Sequence, residues 1–338
     1  MYYRKLTDDY YEEVYTKNVE NISFIKIARM LYCFFSVILL LGFSCITHGN
    51  KGIVYLIYSF FPSCVYLYWF RRKIKRKIKF SHVIEMILYG AILSIFFAGI
   101  LEYILSFCFF YFCHICFLKE IKETPLLMCS LAVFFYFFFI VAYVEELSKF
   151  FPMIFVHLNS KKYKKEYTEL PFADNNTNLN ENLYDKGENK KDDKMIKFNY
   201  IYVNSRLEYI FFSLCSSAGF SSSENLFYTT QTTRQNFLTV ITLRNLICVL
   251  FHMCCSGVSS NNVASHVHSK NTKGARVNVL HILCSLFSSS LFHAVYDYSI
   301  YFSSLNIPTY QVWFLTILFT YSFLSMLLMF FVVIKRIV

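Results

Sequence analysis

From Met30 onward, long apolar runs alternate with short polar turns, and only two stretches fall outside that pattern. An apolar run of about 20 residues is the length that crosses the hydrocarbon core as a helix. The candidate runs are Met30 to Ile46, Ile53 to Phe70, Val83 to Cys108, Leu126 to Leu158, Leu207 to Tyr228, Phe237 to Gly257, Val279 to Phe302 and Tyr310 to Ile334. They predict an all-α polytopic membrane protein of about eight transmembrane helices, the third and fourth longer than a bilayer requires. The region Phe107 to Leu118 could instead form a separate re-entrant piece.

The two exceptions divide the chain. Residues 1–22 form a polar tail without the apolar core and cleavage site of a secretory signal, so the first apolar run reads as a retained span. Residues 159–204 are rich in Asn, Lys and Asp. They carry too little apolar surface to offset the entropy of ordering, which predicts a disordered cytoplasmic loop. It separates an N-terminal membrane half, residues 23–158, from a C-terminal half, residues 205–338.

Composition sharpens this picture. Of the 338 residues, 56% are hydrophobic and 16% charged, against about 25% charged in soluble domains. The net charge of +11 is distributed as a positive-inside signature. The basic block Arg71 to Lys79, the polar loop, the segment Lys270 to Arg276 and Lys335-Arg336 all fall on one side when the spans alternate. That agreement predicts an even number of spans with both termini cytoplasmic, and attraction to the anionic lipid surface. Nucleic-acid binding is not expected, because the basic block is flanked by membrane and has no folded domain to present it. The twelve cysteines lie in or beside apolar stretches and read as small apolar side chains. The group Cys113, His114 and Cys116 lacks the second half of a metal motif.

Ionisable residues inside the spans need a reason, since each costs at least about 2.5–3.5 kcal/mol at mid-bilayer. Glu145, Glu146 and Lys149 lie within the fourth run, with Lys149 three and four residues on and so on the same helical face. Glu224 and Asn225 come after the small residues Gly219 and Ser221 to Ser223 in the fifth. Arg244 and His252 lie in the sixth. His293 and Asp297, four apart in the seventh, share a face, so the carboxylate is placed to orient the imidazole. Glu85 and Glu102 read as residues near the ends of the third span, and His266 and His268 as solvated loop residues.

The ordered set Glu145-Glu146-x-x-Lys149, Phe220-x-x-x-Glu224-Asn225, Arg244 with His252, and His293-x-x-x-Asp297 resembles the PrsW family of intramembrane peptidases, relatives of the CAAX-prenyl endopeptidases. Two departures are Ser221 to Ser223, where the family is more apolar, and the long polar insertion between the first two motifs. The resemblance implies an intramembrane endopeptidase acting on membrane proteins or lipid-anchored peptides. Glu145 or Glu146 would serve as general base, supported by Glu224. His293 and His252 would stabilise the oxyanion, with Lys149, Asn225, Arg244 and Asp297 in support. The cofactor is either none or a divalent metal such as zinc, held by Glu224, His252 and His293. The Glu-Glu pair favours the metal-free form, because it supplies acid/base chemistry by itself. A transporter using these charges as an ion relay and an inactive membrane scaffold are the competing readings.

One count sits awkwardly with a single site. At about 1.5 Å per residue from the cytoplasmic ends, Glu145, Glu224 and His293 reach the middle or outer bilayer, whereas His252 falls nearer the cytoplasmic face. The orientation is open to direct measurement: tags placed at Met1 and at Val338 are both expected to be digested in inside-out vesicles and protected in right-side-out ones. Opposite behaviour of the two tags would require an odd number of spans.

Overall fold

The structure, a computed structural model, describes residues 24–74, 78–112, 126–158, 201–203, 205–229, 241–269, 279–303 and 309–337. The polar tail, nearly all of the 159–204 loop and the Cys113-His114-Cys116 group lie outside these. Apart from two short strands, the described chain is helical. Helices α1 (Phe24–His48) and α2 (Gly52–Arg71) are separated by a tight turn at Gly49, whose φ of 57° is the left-handed conformation that glycine adopts without strain. Then come α3 (Phe80–Leu88) and α4 (Ile95–Phe112), α5 (Leu126–Tyr136) and α6 (Tyr143–Phe150), α7 (Arg206–Thr229), α8 (Val249–Ser269), α9 (Val279–Ser303) and α10 (Thr309–Ile337). Among the described residues, six helical segments are long and apolar enough to cross a membrane. The first, Ile27–Arg71, holds two of the expected spans, while α7 is too polar to be counted.

The polarity of α7 is explained by where it lies. It packs against α2, α3, α6 and α8, and almost all of its side chains are buried. Outer helices present apolar side chains outward instead, as at Phe34, Ile46, Trp69 and Phe314, the surface a bilayer solvates. Surrounded by protein, α7 can be serine-rich. Its hydroxyls tie the bundle together: Ser216 Oγ donates to the Lys149 carbonyl at 2.7 Å, Ser213 Oγ to the Ser256 carbonyl at 3.2 Å, and Ser222 pairs with Ser63 at 2.6 Å. Of the serines that depart from the family pattern, Ser222 ties α7 to α2, while Ser221 bonds within its own helix.

Glycine allows the closest of these approaches. A Cβ added at Gly90 would overlap the Ser216 carbonyl, and one at Gly219 would overlap the Ile87 carbonyl. The two backbones meet reciprocally, as small residues permit in membrane helix pairs.

Three π-helical turns interrupt the helices: Tyr89–Ser94 between α3 and α4, Phe137–Ala142 before α6, and Arg244–Cys248 before α8. Each inserts an extra residue into one turn and re-aims the helix beyond it, a feature common at functional sites. The expected single helix from Leu126 to Leu158 is broken further. Beyond Phe150 the chain tightens into a 3₁₀ turn at Phe151–Phe155, where Pro152 supplies no N–H, and ends in strand β1 (Val156–Leu158). Strand β2 (Ile201–Val203) pairs with it in parallel, Val156 opposite Ile201. The end of the expected loop is thus ordered, and the insertion leaves and re-enters the bundle at adjacent points.

The sixth span is expected to end at Gly257, but α8 runs on to Ser269. His266, read as a solvated loop residue, stacks on His281 of α9. Glu85, read as an interfacial residue, is buried in an ion pair with Arg29 of α1 and accepts from the Tyr89 hydroxyl at 3.0 Å.

Gly219→Val and Gly90→Val are each expected to lower stability by about 3 kcal/mol, since the group that the new side chain would overlap is backbone and cannot rotate away. Gly99→Ala, which meets nothing within 4 Å, should be neutral or slightly stabilising. Thermal unfolding of the detergent-solubilised protein compares the three.

Candidate active site

The site is built around one ammonium group. Glu145 and Glu146 open the first turn of α6 and Lys149 lies in its last, so side chains three and four residues apart fall on one face. Lys149 is fully buried, and its three hydrogens have three acceptors: Glu145 Oε2 at 3.0 Å, Glu146 Oε1 at 3.0 Å and His252 Nδ1 at 2.7 Å. Its ammonium also lies 4.6 Å from the centre of the Phe220 ring on α7. Phe220 is thus a wall of the cation site as well as a packing residue.

His293 of α9 closes the cluster from the other side. Its Nδ1 is 3.1 Å from Glu146 Oε1. A carboxylate only accepts, so a hydrogen belongs on Nδ1, and the ring's other nitrogen is Nε2. That nitrogen faces Asp297 Oδ2 at 3.2 Å and Glu145 Oε2 at 3.6 Å, yet it is buried without a hydrogen bond. The sequence spacing assigns the orienting role to Asp297. In the structure Glu146 faces one ring nitrogen and Asp297 the other, so both stand where they bear on the imidazole's orientation.

Glu224 enters from α7. Its Oε1 accepts from Arg244 Nη2 at 2.9 Å, while Oε2 lies 3.1 Å from His252 Nε2 and is buried without a hydrogen bond. Arg244 is itself held, by Asn225 Oδ1 at 3.2 Å and by stacking over the Tyr228 ring at 3.6 Å. Asn225 donates in turn to Asn245 at 3.0 Å. Asn225 therefore positions Arg244 and does not touch the histidines.

All the singled-out residues converge: Glu145, Glu146, Lys149, Glu224, Asn225, Arg244, His252, His293 and Asp297 form one connected network from four helical elements. The depth mismatch at His252 comes from a misplaced span. The helix runs on to Ser269, past the expected end at Gly257, so His252 lies farther from that end. Sequence reasoning leaves Glu102 out, but this α4 carboxylate lies within electrostatic reach of Glu145, Glu224, Lys149 and Asp297. Only its place deep in an apolar span could have signalled that.

Two features bear on whether a divalent ion fits. Three buried polar atoms, Glu146 Oε2, Glu224 Oε2 and His293 Nε2, have no hydrogen-bond partner, and buried polar atoms in native structures are seldom left so. Ligand atoms of Glu145, His252 and His293 lie within 4.8 Å of one another. Two imidazoles and a carboxylate are a hydrolytic zinc donor set. The residues fit. Glu145 is the carboxylate grouped with both histidines, and Glu224, the one that the sequence suggests for that place, faces His252 from another side. His252 has Nδ1 on Lys149 and Nε2 toward Glu224, so an ion bound to it would take the place of one of these contacts.

A family model described as PrsW family intramembrane metalloprotease matches residues 79–333, from just before α3 into the last turns of α10. No curated protein and no solved structure matches. The matched stretch contains every residue of the network, in the order on successive helices that the motifs describe, and the chain belongs to the PrsW family of intramembrane metalloproteases and is a membrane-embedded peptidase.

Proposed function

We propose that the protein is an endopeptidase that cleaves membrane-protein or lipid-anchored peptide substrates within the bilayer, with both termini on the cytoplasmic side. The observation that carries this reading is the convergence of Glu145, Glu146, Glu224, His252 and His293 around Lys149, in a buried cluster that leaves three polar atoms unpartnered. What supports the reading is that these three, two carboxylate oxygens and an imidazole nitrogen, lie in one cluster, each unsatisfied buried group costing about 1–3 kcal/mol.

Glu145, His252 and His293 would hold a divalent ion, which when bound supplies Lewis-acid polarisation and a water of lowered pKa. The chain's own groups do the remaining work. Glu146 takes the His293 Nδ1 hydrogen and so keeps Nε2 directed into the site. Lys149 anchors both glutamates of α6 and fixes their spacing. A general base needs a free carboxylate oxygen that water can reach. Glu146 Oε2 is free, but that side chain is 0% exposed. Glu224 also has a free oxygen, itself buried, but on a side chain that is 17% exposed overall, with its other oxygen pinned by Arg244. We assign the base to Glu224, with Glu145 and Glu146 as ligand and orienting group. The base then comes from α7 rather than from the Glu-Glu pair.

Cleavage of a transmembrane reporter peptide in reconstituted vesicles tests the assignment. Glu224→Gln is expected to lower kcat by at least about 100-fold with KM little changed, and His293→Ala and Glu145→Gln to abolish turnover. Chelation should abolish activity and added zinc restore it. Full activity in all three variants would discard the site. Lys149→Met is expected to destabilise the fold by about 3–5 kcal/mol, because it strands two buried carboxylates. Thermal unfolding measures this independently of activity.

A further inference from the structure

The cluster has a second side that the hydrolytic arrangement does not use. Cys248 is the last residue of the π turn Arg244–Cys248, is 2% exposed, and carries a free thiol. Its sulfur, a ring nitrogen of His252 and a carboxylate oxygen of Glu224 lie within 4.8 Å of one another. We propose that Glu224, Cys248 and His252 form a second ion subsite, selective for soft, thiol-seeking divalent ions, and that filling it inhibits the peptidase.

Three observations support this. Cys248 and His252 are four residues apart in one continuous helical segment, so both project from the same face, the spacing by which helical pairs grip a metal. Arg244 holds Glu224 by Oε1 alone, which leaves Oε2 buried, without a hydrogen bond, and 3.1 Å from His252 Nε2. That separation is close to the roughly 3.3 Å expected between two ligands at about 2.0–2.1 Å from one zinc-like ion. The Cys248 sulfur lies within 4.8 Å of a ligand atom on each of these two side chains. The donor set of one thiolate, one imidazole and one carboxylate is softer than the Glu145, His252 and His293 set, so it favours cadmium, or surplus zinc, over harder ions.

Inhibition is expected because the two sets share His252. An ion held by Glu224, Cys248 and His252 removes a ligand from Glu145 and His293 and occupies the oxygen that the proposed base needs. Binding exchanges the thiol proton for the ion, and the proton leaves to solvent.

The subsite rests on the geometry of Cys248 and on the proposed reading of the hydrolytic cluster for its inhibitory effect, and two readouts separate these. Cadmium chloride is titrated into the purified full-length protein in detergent, recording bound equivalents and the thiolate-to-metal charge-transfer absorption. The expected result is one tight equivalent and its absorption in the parent protein, retained in His293→Ala and lost in Cys248→Ser. Retention in His293→Ala shows binding that does not depend on the hydrolytic cluster. In the vesicle cleavage assay, each variant is compared with its own cadmium-free rate. Cys248→Ser should need at least about tenfold more cadmium for half-inhibition, since losing a ligand costs no less than losing a group that supports one. Cys248→His, which restores a nitrogen ligand, should bind zinc in place of cadmium and remain inhibitable. Equal cadmium stoichiometry and equal inhibition in the parent and Cys248→Ser would overturn the subsite. Cadmium binding that disappears with Cys248→Ser while inhibition is unchanged would overturn the inhibitory role and leave the proposed hydrolytic reading standing.

Discussion

A single ammonium group holds the reactive core together. Lys149 has no water to solvate it and meets its need with three acceptors from two helices, Glu145 and Glu146 on its own and His252 on α8. A buried charge is tolerable only when paired and hydrogen-bonded, and the same requirement fixes the geometry of its partners. With Glu146 committed to Lys149, its oxygen is also where His293 Nδ1 must go, which turns the other ring nitrogen toward Glu145 and Asp297. Arg244 plays the matching part for Glu224, itself held by Asn225 and Tyr228. The cations are thus the positioning devices, and the atoms they leave unpaired are the ones available for chemistry.

These polar groups can exist at membrane depth because α7 runs through the protein interior. Its serines donate to carbonyls of neighbouring helices, and glycine at positions 90 and 219 brings α3 close enough to seal the contact. In hydrocarbon there is no hydrophobic force between helices, so packing and hydrogen bonds must supply the cohesion. A serine-rich helix that would be a poor lipid-facing span is well suited to this place. The outer helices, exposing Phe34, Ile46 and Phe314, do the opposite and meet the bilayer.

Much of this is legible in the sequence, and the parts that are not have identifiable causes. The membrane class comes from run length alone, and the spacings Glu145-Glu146-x-x-Lys149 and His293-x-x-x-Asp297 place their members on common faces because the helical period is local. Periodicity cannot reveal a π turn. Those at Phe137–Ala142 and Arg244–Cys248 re-aim the residues after them. Hydropathy cannot tell a lipid-facing span from one surrounded by protein, which is why α7 reads ambiguously. Partners between distant helices are also invisible in one sequence. Nothing in the chain says that Arg29 neutralises Glu85, that Glu146 meets His293, or that Glu102 lies near the cluster.

The polar insertion of residues 159–200 shows how such a bundle accepts a long break between two motif helices. The cost of closing a loop grows only slowly with its length, provided its ends have a fixed place to meet. The pairing of Val156–Leu158 with Ile201–Val203 is that place. Val156, Leu158, Ile201 and Val203 are all buried in the same apolar cluster as Ile210 and Phe211 of α7, so the strands are anchored in the core. Ser216 bonding to the Lys149 carbonyl then ties α7 to α6 just inside that closure. The alignment of Glu224 with Glu145 and Glu146 is therefore set by contacts within the membrane half, and the length of the insertion can vary without disturbing it.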